Sequence, residues 1–246
     1  MRRIWLVGLL ALAACSKRGA PASNAAVNAA APTSAAAIAP AAPSARLAQI
    51  FTPDVIGSNV AFLETITGPA FRTDGSDRTY KVDGCEIIVG ATAGKIDNIG
   101  IVGYSERCSF PIAQYFAGGY QYPAPNNPTF GDIKRGFGGS YGADCLMSCG
   151  NAADPVVYLS YQGSHADNFN NLEASLSIAG EPGLSAYMDW GQKLAARYGQ
   201  DYVLAAKFNT GDNLDDVASR DFAPIHPDTI RVGGNLSGPG ESDSSE

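Results

Sequence analysis

The hydrophobic and polar positions predict the same order of elements twice, each time a short helix followed by antiparallel strands. In the first segment, about residues 52–109, helical and then alternating spacing of apolar residues predicts a helix and three strands at 58–67, 79–82, 85–89 and 96–104. Asp83-Gly84 joins two of these strands, and this dipeptide favours the tight turn of a β-hairpin. Ser58 can cap the helix and Gly68-Pro69 can end it.

A second segment, about residues 126–179, repeats this pattern with a shift of about 70 residues. Its helix is indicated by Phe130, Ile133 and Phe137, and strand patterns follow at 156–159 and 172–178. We therefore predict an α+β fold of two helix-plus-antiparallel-three-strand repeats.

The pattern changes in a C-terminal extension, residues 180–232. A helical period predicts an amphipathic helix that packs on a sheet face through Leu184, Tyr187, Met188, Gly191, Leu194, Ala195 and Tyr198. Near the end of the extension, Thr229 to Val232 is predicted to add an edge strand.

The two ends of the chain differ in composition from this folded part, which we predict at residues 46–232. Arg2 and Arg3 precede an apolar run of 11 residues, which is too short for the roughly 20 residues of a membrane-spanning helix. Residues 1–14 are therefore typical of a secretory signal peptide. Within 15–45, residues 19–45 contain 14 alanines and four prolines, a composition that predicts a disordered tether. The Gly/Ser-rich residues 233–246 predict a disordered acidic tail.

The apolar run ends in Leu12-Ala13-Ala14-Cys15, which resembles the lipobox of bacterial lipoproteins. The resemblance implies cleavage before Cys15 and attachment of a diacylglyceryl group and an N-acyl chain, such as palmitate, to that cysteine. Several acyl chains hold a protein on a bilayer where one chain does not. Ser16, after the cysteine, resembles the residues that direct lipoproteins to the outer membrane. We expect an outer-membrane lipoprotein facing the periplasm, and an ordinary signal peptide is the alternative.

The charge distribution bears on the class of partner. The first 45 residues contain four basic residues and no acidic ones, so the remaining 13 basic and 24 acidic residues give the rest a formal charge of −11. Such a surface repels phosphate backbones, which makes nucleic acid an unexpected partner. Only two histidines occur, which argues against a histidine-rich metal site, and the sequence indicates no cofactor.

Four cysteines remain when Cys15 is set aside: Cys85, Cys108, Cys145 and Cys149. An even number in an oxidising compartment predicts two disulfides, for which three pairings are possible. We favour Cys85–Cys108, which would join the second predicted strand to the chain just after the third, and Cys145–Cys149 as a tight local loop. The alternative of a metal site lacks any Cys-x-x-Cys pair. A redox role for the short loop is the alternative to a structural one.

Two motifs resemble catalytic or metal sites without the context that such sites need. Gly138 to Gly142 satisfies the Gly-x-Ser-x-Gly pattern around Ser140, but neither a buried strand before it nor a helix after it is predicted. Asp212 to Asp216 is rich in carboxylates but lacks the central glycine and distal glutamate of a calcium loop. His165 and His226 are predicted to be surface residues. We therefore expect no catalytic residue and no metal.

The connection between the two repeats is rich in aromatic residues. Phe110, Tyr115, Phe116, Tyr120, Tyr122 and Phe130 occur there among glycines and prolines, without a helical or strand period. Such side chains form either additional core or an interaction surface, where tyrosine combines apolar area with a hydrogen-bonding tip. Tyr115, Phe116, Tyr120 and Tyr122 are the candidates for partner binding.

The predicted repeats are similar to two known arrangements. Two tandem helix-and-sheet repeats resemble the β-lactamase inhibitor protein, and each half resembles the small lipoprotein of the outer-membrane β-barrel assembly machine. The likeness to the small lipoprotein depends on Gly68-Pro69 at the end of the first helix and on the strand residues Tyr80, Val82, Gly84, Cys85 and Ile101. These likenesses imply a non-enzymatic lipoprotein that binds a protein partner in envelope assembly or maintenance. The alternatives are a periplasmic inhibitor of a lysozyme or β-lactamase, and an envelope hydrolase that uses Ser140.

Overall fold

The computed structural model describes residues 44–117, 126–147, 149, 154–205 and 215–236. All described residues belong to one compact unit. They form helices and antiparallel strands, which confirms the predicted α+β class. Cys15 lies outside the described residues, as do residues 1–43 and 237–246. In the described ranges, no helix has both the length and the apolar character needed to cross a membrane.

The described residues form six α-helices, three short 3-10 turns and eight strands. The helices are α1 (Ala45–Ile50), α2 (Val60–Thr67), α3 (Phe130–Phe137), α4 (Gly183–Tyr198), α5 (Gln200–Ala205) and α6 (Asp215–Phe222). The strands are β1 (Arg72–Asp74), β2 (Asp77–Val82), β3 (Cys85–Thr92), β4 (Lys95–Val102), β5 (Ser140–Ala143), β6 (Val156–Tyr161), β7 (Asn171–Ser177) and β8 (Thr229–Gly233). The 3-10 turns are Pro53–Val55, Ile112–Tyr115 and His165–Asp167.

The eight strands form a single antiparallel sheet in the order β1-β2-β3-β4-β8-β7-β6-β5. β8 pairs with β4 on one side and with β7 on the other, so the prediction of an edge strand was wrong. Ile230 and Val232 of β8 are completely buried. Alternation along a strand shows that one face is buried, but it carries no information about how many strands lie beside it.

The strand groups on the two sides of β8 run in mirror-image order. β2, β3 and β4 lead towards β8 from one side, and β5, β6 and β7 lead towards it from the other. β4 and β7 are both antiparallel to β8 and therefore parallel to each other. The preceding helices lie on the same face, because Tyr80 of β2 donates to Glu64 of α2 and Phe130 of α3 packs against Tyr141 of β5. No rotation superimposes two such groups, so the structure does not confirm the predicted pair of equivalent repeats.

The hydrophobic core lies on one face of the sheet. The strand residues on this face that are at most 1% exposed include Ile87, Val89, Ile99, Ile101, Val157, Leu159, Leu172, Ala174, Ile230 and Val232. The helices cover them: the ring of Phe222 in α6 lies 6.0 Å from those of Tyr141 in β5 and Trp190 in α4. The opposite face of the sheet is thereby left for polar residues.

The buried side of α4 differs from its predicted apolar side. It comprises Gly183, Ala186, Tyr187, Trp190, Gly191 and Leu194. By contrast, Leu184, Met188 and Tyr198 are 38%, 51% and 43% exposed. The prediction omitted Trp190, which is completely buried. Apolar residues lie at helical spacing on two overlapping sides of α4, and the spacing alone does not show which of the two sides is buried.

Both favoured disulfides are present. Cys85–Cys108 joins the start of β3 to the chain beyond β4, across a sequence separation of 23. Cys145–Cys149 closes a loop with a separation of 4 after β5. The first disulfide thus ties a strand to a loop, and the second lies entirely within the connection between β5 and β6.

Candidate functional site

The sheet face opposite the helices carries mostly polar and small residues, with Ile88, Val102 and Val156 among them; we call it the polar face. Side chains alternate between the two faces along each strand. With the observed register, the polar face contains Asp77 and Lys81 of β2, Glu86 and Gly90 of β3, Asn98 and Gly100 of β4, Thr229 and Arg231 of β8, Glu173 and Ser175 of β7, and Tyr158 and Ser160 of β6. Helices α2, α3, α4 and α6 all contact the other face.

Arg231 is the centre of a hydrogen-bond network on the polar face. Its guanidinium forms a bidentate ion pair with Asp77, with Nη1–Oδ2 at 3.0 Å and Nη2–Oδ1 at 2.9 Å. Its Nε donates to Asn98 Oδ1 at 3.1 Å, and its Nη2 also donates to that oxygen. The side chain thus extends from β8 across β4 and β3 to β2. Bidentate pairs of this kind fix geometry as well as charge.

Two glycines make room for this network. A Cβ at Gly100 would lie 2.3 Å from the carbonyl oxygen of Ile230 and 2.6 Å from Cγ of Arg231. A Cβ at Gly90 would lie 2.5 Å from the side-chain amide of Asn98. Both distances are too short for any side chain, so the arginine can lie flat on the sheet only because these strands carry glycine there.

Glu173 is the neighbour of Arg231 on β7, and it forms no ion pair with a described residue. The residue is 6% exposed, and its Oε2 is buried and accepts no hydrogen bond from a described residue. The hydroxyl of Ser160, its pair on β6, is also buried and unpartnered. Burial raises the pKa of Glu173 to about 7; Arg231 lowers it, and Asp144 and Asp77 raise it.

A third carboxylate lies near the same part of the polar face. The hydroxyl of Tyr158 donates to Asp144 Oδ2 at 3.1 Å, and burial raises the pKa of this tyrosine well above its ordinary value. Among the described residues, Arg231 is the one cation that lowers the pKa of Glu173, and its guanidinium is already paired with Asp77. This part of the polar face has an excess of acceptors and of negative charge. We call Glu173, Ser160, Arg231, Asp144 and Tyr158 the Glu173 site.

Tyr115 and Phe116, the two aromatic candidates that the structure describes, do not lie at this site. Tyr115 and Phe116 are 2% and 7% exposed, so the structure assigns them to the core. Tyr115 packs edge-on against Phe110, with ring centroids 5.9 Å apart, and Phe116 packs against Phe137 at 5.2 Å. Tyr120 and Tyr122 lie outside the described residues. Aromatic content alone cannot separate core from surface, because burial depends on the elements that pack around the connection.

A second surface feature is an apolar cleft beside the Cys145–Cys149 disulfide. It has a volume of about 440 Å³ and is lined by residues including Leu146, Met147, Ile178, Leu184 and Met188. This cleft explains why two residues on the exposed side of α4 are hydrophobic. The hydroxyl of Tyr187 donates to the carbonyl oxygen of Cys145 at 3.2 Å and lies 3.0 Å from Sγ of Cys149. These contacts fix the disulfide loop against α4.

The catalytic motif is not in the geometry of a nucleophile elbow. Ser140 begins β5 directly after α3, so the chain runs from helix to strand, whereas an elbow runs from strand to helix. His226 Nδ1 lies 3.2 Å from the carbonyl oxygen of Pro128, and the ring of His165 packs against Phe169. His226 therefore contacts Pro128, and His165 contacts Phe169.

The acidic motif is used for structural contacts. Asp215 forms an ion pair with Lys134 at 2.8 Å and accepts a hydrogen bond from the backbone N–H of Tyr141 at 2.8 Å. Asp216 pairs with Arg197. Asp212 is outside the described residues. Among the residues that are described, no group of three or more potential ligands could hold a metal ion.

The residues of the Glu173 site were not predicted from sequence. The alternation in Leu172 to Ser177 and Thr229 to Val232 placed Glu173 and Arg231 on the polar side of their strands. It could not show that the two strands are neighbours, since they are more than 50 residues apart. A comparison of the chain with known proteins finds no matching family model, no similar curated protein and no similar solved structure.

Proposed function

We propose that the chain is a non-enzymatic envelope lipoprotein that binds a protein partner through the polar face. The observation that carries the proposal is the Glu173 site, where the buried Oε2 of Glu173 and the buried hydroxyl of Ser160 have no hydrogen-bond partner among the described residues. Buried polar groups in proteins are almost always paired, and an unpaired one costs about 1–3 kcal/mol. A partner that supplied the missing donor would recover this cost on binding.

The proposed location depends on the sequence. The Leu12-Ala13-Ala14-Cys15 motif would place acyl chains on Cys15, and the Ala/Pro-rich tether would separate the domain from the membrane. Two disulfides among the described residues fit an oxidising compartment. We place the protein on the periplasmic side of the outer membrane.

Replacement of Cys15 tests the anchor. In cell fractionation, Cys15→Ser should move the protein from the membrane to the soluble or unprocessed fraction and abolish incorporation of labelled palmitate. The matched variant Ser16→Asp should keep the label but shift the protein to the inner membrane. Palmitate labelling of the Cys15→Ser variant would contradict the proposal.

Site-specific photo-crosslinking in the native envelope tests the binding face. A photoreactive residue at Ser177, which is exposed at the end of β7, should form a defined adduct with a protein partner. A photoreactive residue at Phe62 on the helix side, where the native side chain is 62% exposed, is the control and should form none. Equal adducts at both positions, or none at either, would contradict binding through the polar face.

A further inference from the structure

We infer that the Glu173 site receives a cationic side chain, a lysine or an arginine, from the bound partner. This inference rests on the proposed function and names the chemistry of the same face.

The Glu173 site lacks a hydrogen-bond donor among the described residues. Glu173 Oε2 is a buried acceptor without a donor, and Ser160 Oγ beside it is a second buried oxygen without a partner. A carboxylate in this state needs an N–H or O–H donor. An ammonium or guanidinium group supplies several donors at once, and charge-assisted hydrogen bonds are about twice as strong as neutral ones.

The cation next to Glu173 on the sheet, Arg231, is bound to other residues. Arg231 directs its guanidinium to Asp77 and Asn98, and Gly100 fixes this path across the sheet. It cannot turn to Glu173 without breaking the bidentate pair. The site therefore needs a cation from outside the described residues.

The charged residues near Glu173 favour a cationic ligand. Around Glu173 stand Arg231 on β8, Asp77 on β2, Asp144 after β5 and Tyr158 on β6. Three carboxylates against one guanidinium leave a negative excess once Glu173 is ionised. An anionic partner group would be repelled, whereas a cation is attracted and is desolvated among groups that can hydrogen-bond it.

Ionisation of Glu173 makes the binding dependent on pH. With a pKa of about 7, Glu173 is mostly protonated at pH 6 and mostly ionised at pH 8. A cation should therefore bind about tenfold more tightly at pH 8 than at pH 6. Binding in turn should lower the pKa of Glu173, because the two equilibria are linked.

The test is NMR titration of the purified full chain with small-molecule probes. N-acetyl-arginine amide should shift the side-chain carboxyl signal of Glu173, with the tenfold pH effect described above. N-acetyl-citrulline amide has nearly the same shape without the charge and should bind at least tenfold more weakly. Glu173→Gln should remove both the affinity for the arginine probe and its pH dependence. Glu106→Gln removes an equal charge from an exposed loop position and should leave both unchanged.

The outcomes distinguish this inference from the proposed function. Equal binding of the arginine and citrulline probes, or equal effects of Glu173→Gln and Glu106→Gln, would overturn the inference. The Ser177 adduct is measured with the same variants. If Glu173→Gln leaves that adduct unchanged at pH 8, the polar face binds a partner without a cation in this site. If the arginine probe binds as expected but no adduct forms, the cation site stands and its assignment to a protein partner fails.

Discussion

At the scale of residues, the polar face depends on positions where only glycine fits. Gly100→Ala should lower the free energy of unfolding by about 1–3 kcal/mol, because the new Cβ would overlap the backbone of Ile230 and the stem of Arg231. Urea unfolding measures this change. Gly180→Ala is the control, since no atom lies within 4 Å of a Cβ built there, and it should change stability by less than about 0.5 kcal/mol. Equal effects of the two variants would contradict the steric explanation.

Glu173 should also give the stability of the protein a specific pH dependence. Its pKa is about 7 in the folded state against 4.5 ordinarily, so the folded state holds the extra proton between these pH values. Stability is therefore expected to fall as the pH rises from about 4.5 through 7, by about 3 kcal/mol in total. Glu173→Gln stays neutral and should lack this fall. Urea unfolding at pH 5 and pH 8 measures the difference, and identical pH profiles would refute the assignment.

At the scale of elements, β8 connects the two halves of the sheet. Its five residues pair on both sides, and Ile230 and Val232 are completely buried. We expect β8 amides to exchange with deuterium only through global unfolding, whereas amides of the exposed edge strand β1 should exchange through local opening. Hydrogen-exchange NMR compares the two directly. Exchange in β8 as fast as in β1 would show that this strand is not central in solution.

The two disulfides should contribute unequally to the free energy of unfolding. A crosslink stabilises mainly by restricting the unfolded chain, and the effect grows with loop length. The separations of 23 and 4 residues predict losses of about 3 kcal/mol for Cys85→Ala/Cys108→Ala and about 2 kcal/mol for Cys145→Ala/Cys149→Ala. Thermal unfolding of the two double variants gives the order. A larger loss from the short loop would mean that its contacts with Tyr187 matter more than chain entropy.

At the scale of the whole molecule, the structure predicts where the folded domain begins. Ser44 caps α1, and Leu47 and Ile50 are both 1% exposed. A chain that starts at Ser44 should keep its melting temperature within a few degrees of the full chain. A chain that starts at Thr52 loses two buried aliphatic residues and should be destabilised by several kcal/mol. Calorimetry on both fragments makes the comparison, and equal melting temperatures would contradict a structural role for α1.

The sequence by itself determined the local features of this protein. Periodicity predicted α2, α3, α4 and most strands, because one face of each element must be apolar to reach a core. Cysteine number and spacing indicated the two disulfide pairs that the structure contains. Composition predicted a tether and a tail at the two ends of the chain, which lie outside the described residues.

The tertiary structure alone decided how these elements are arranged. It placed β8 at the centre of the sheet, gave the two halves opposite handedness and buried Tyr115 and Phe116. It also joined Arg231 to Asp77 over 154 residues and left Glu173 without a partner. Periodicity indicates the type of an element and, less reliably as α4 shows, its buried side, but it carries no information about neighbours. The Glu173 site is made by neighbours that are distant in sequence, and therefore only the fold could show it.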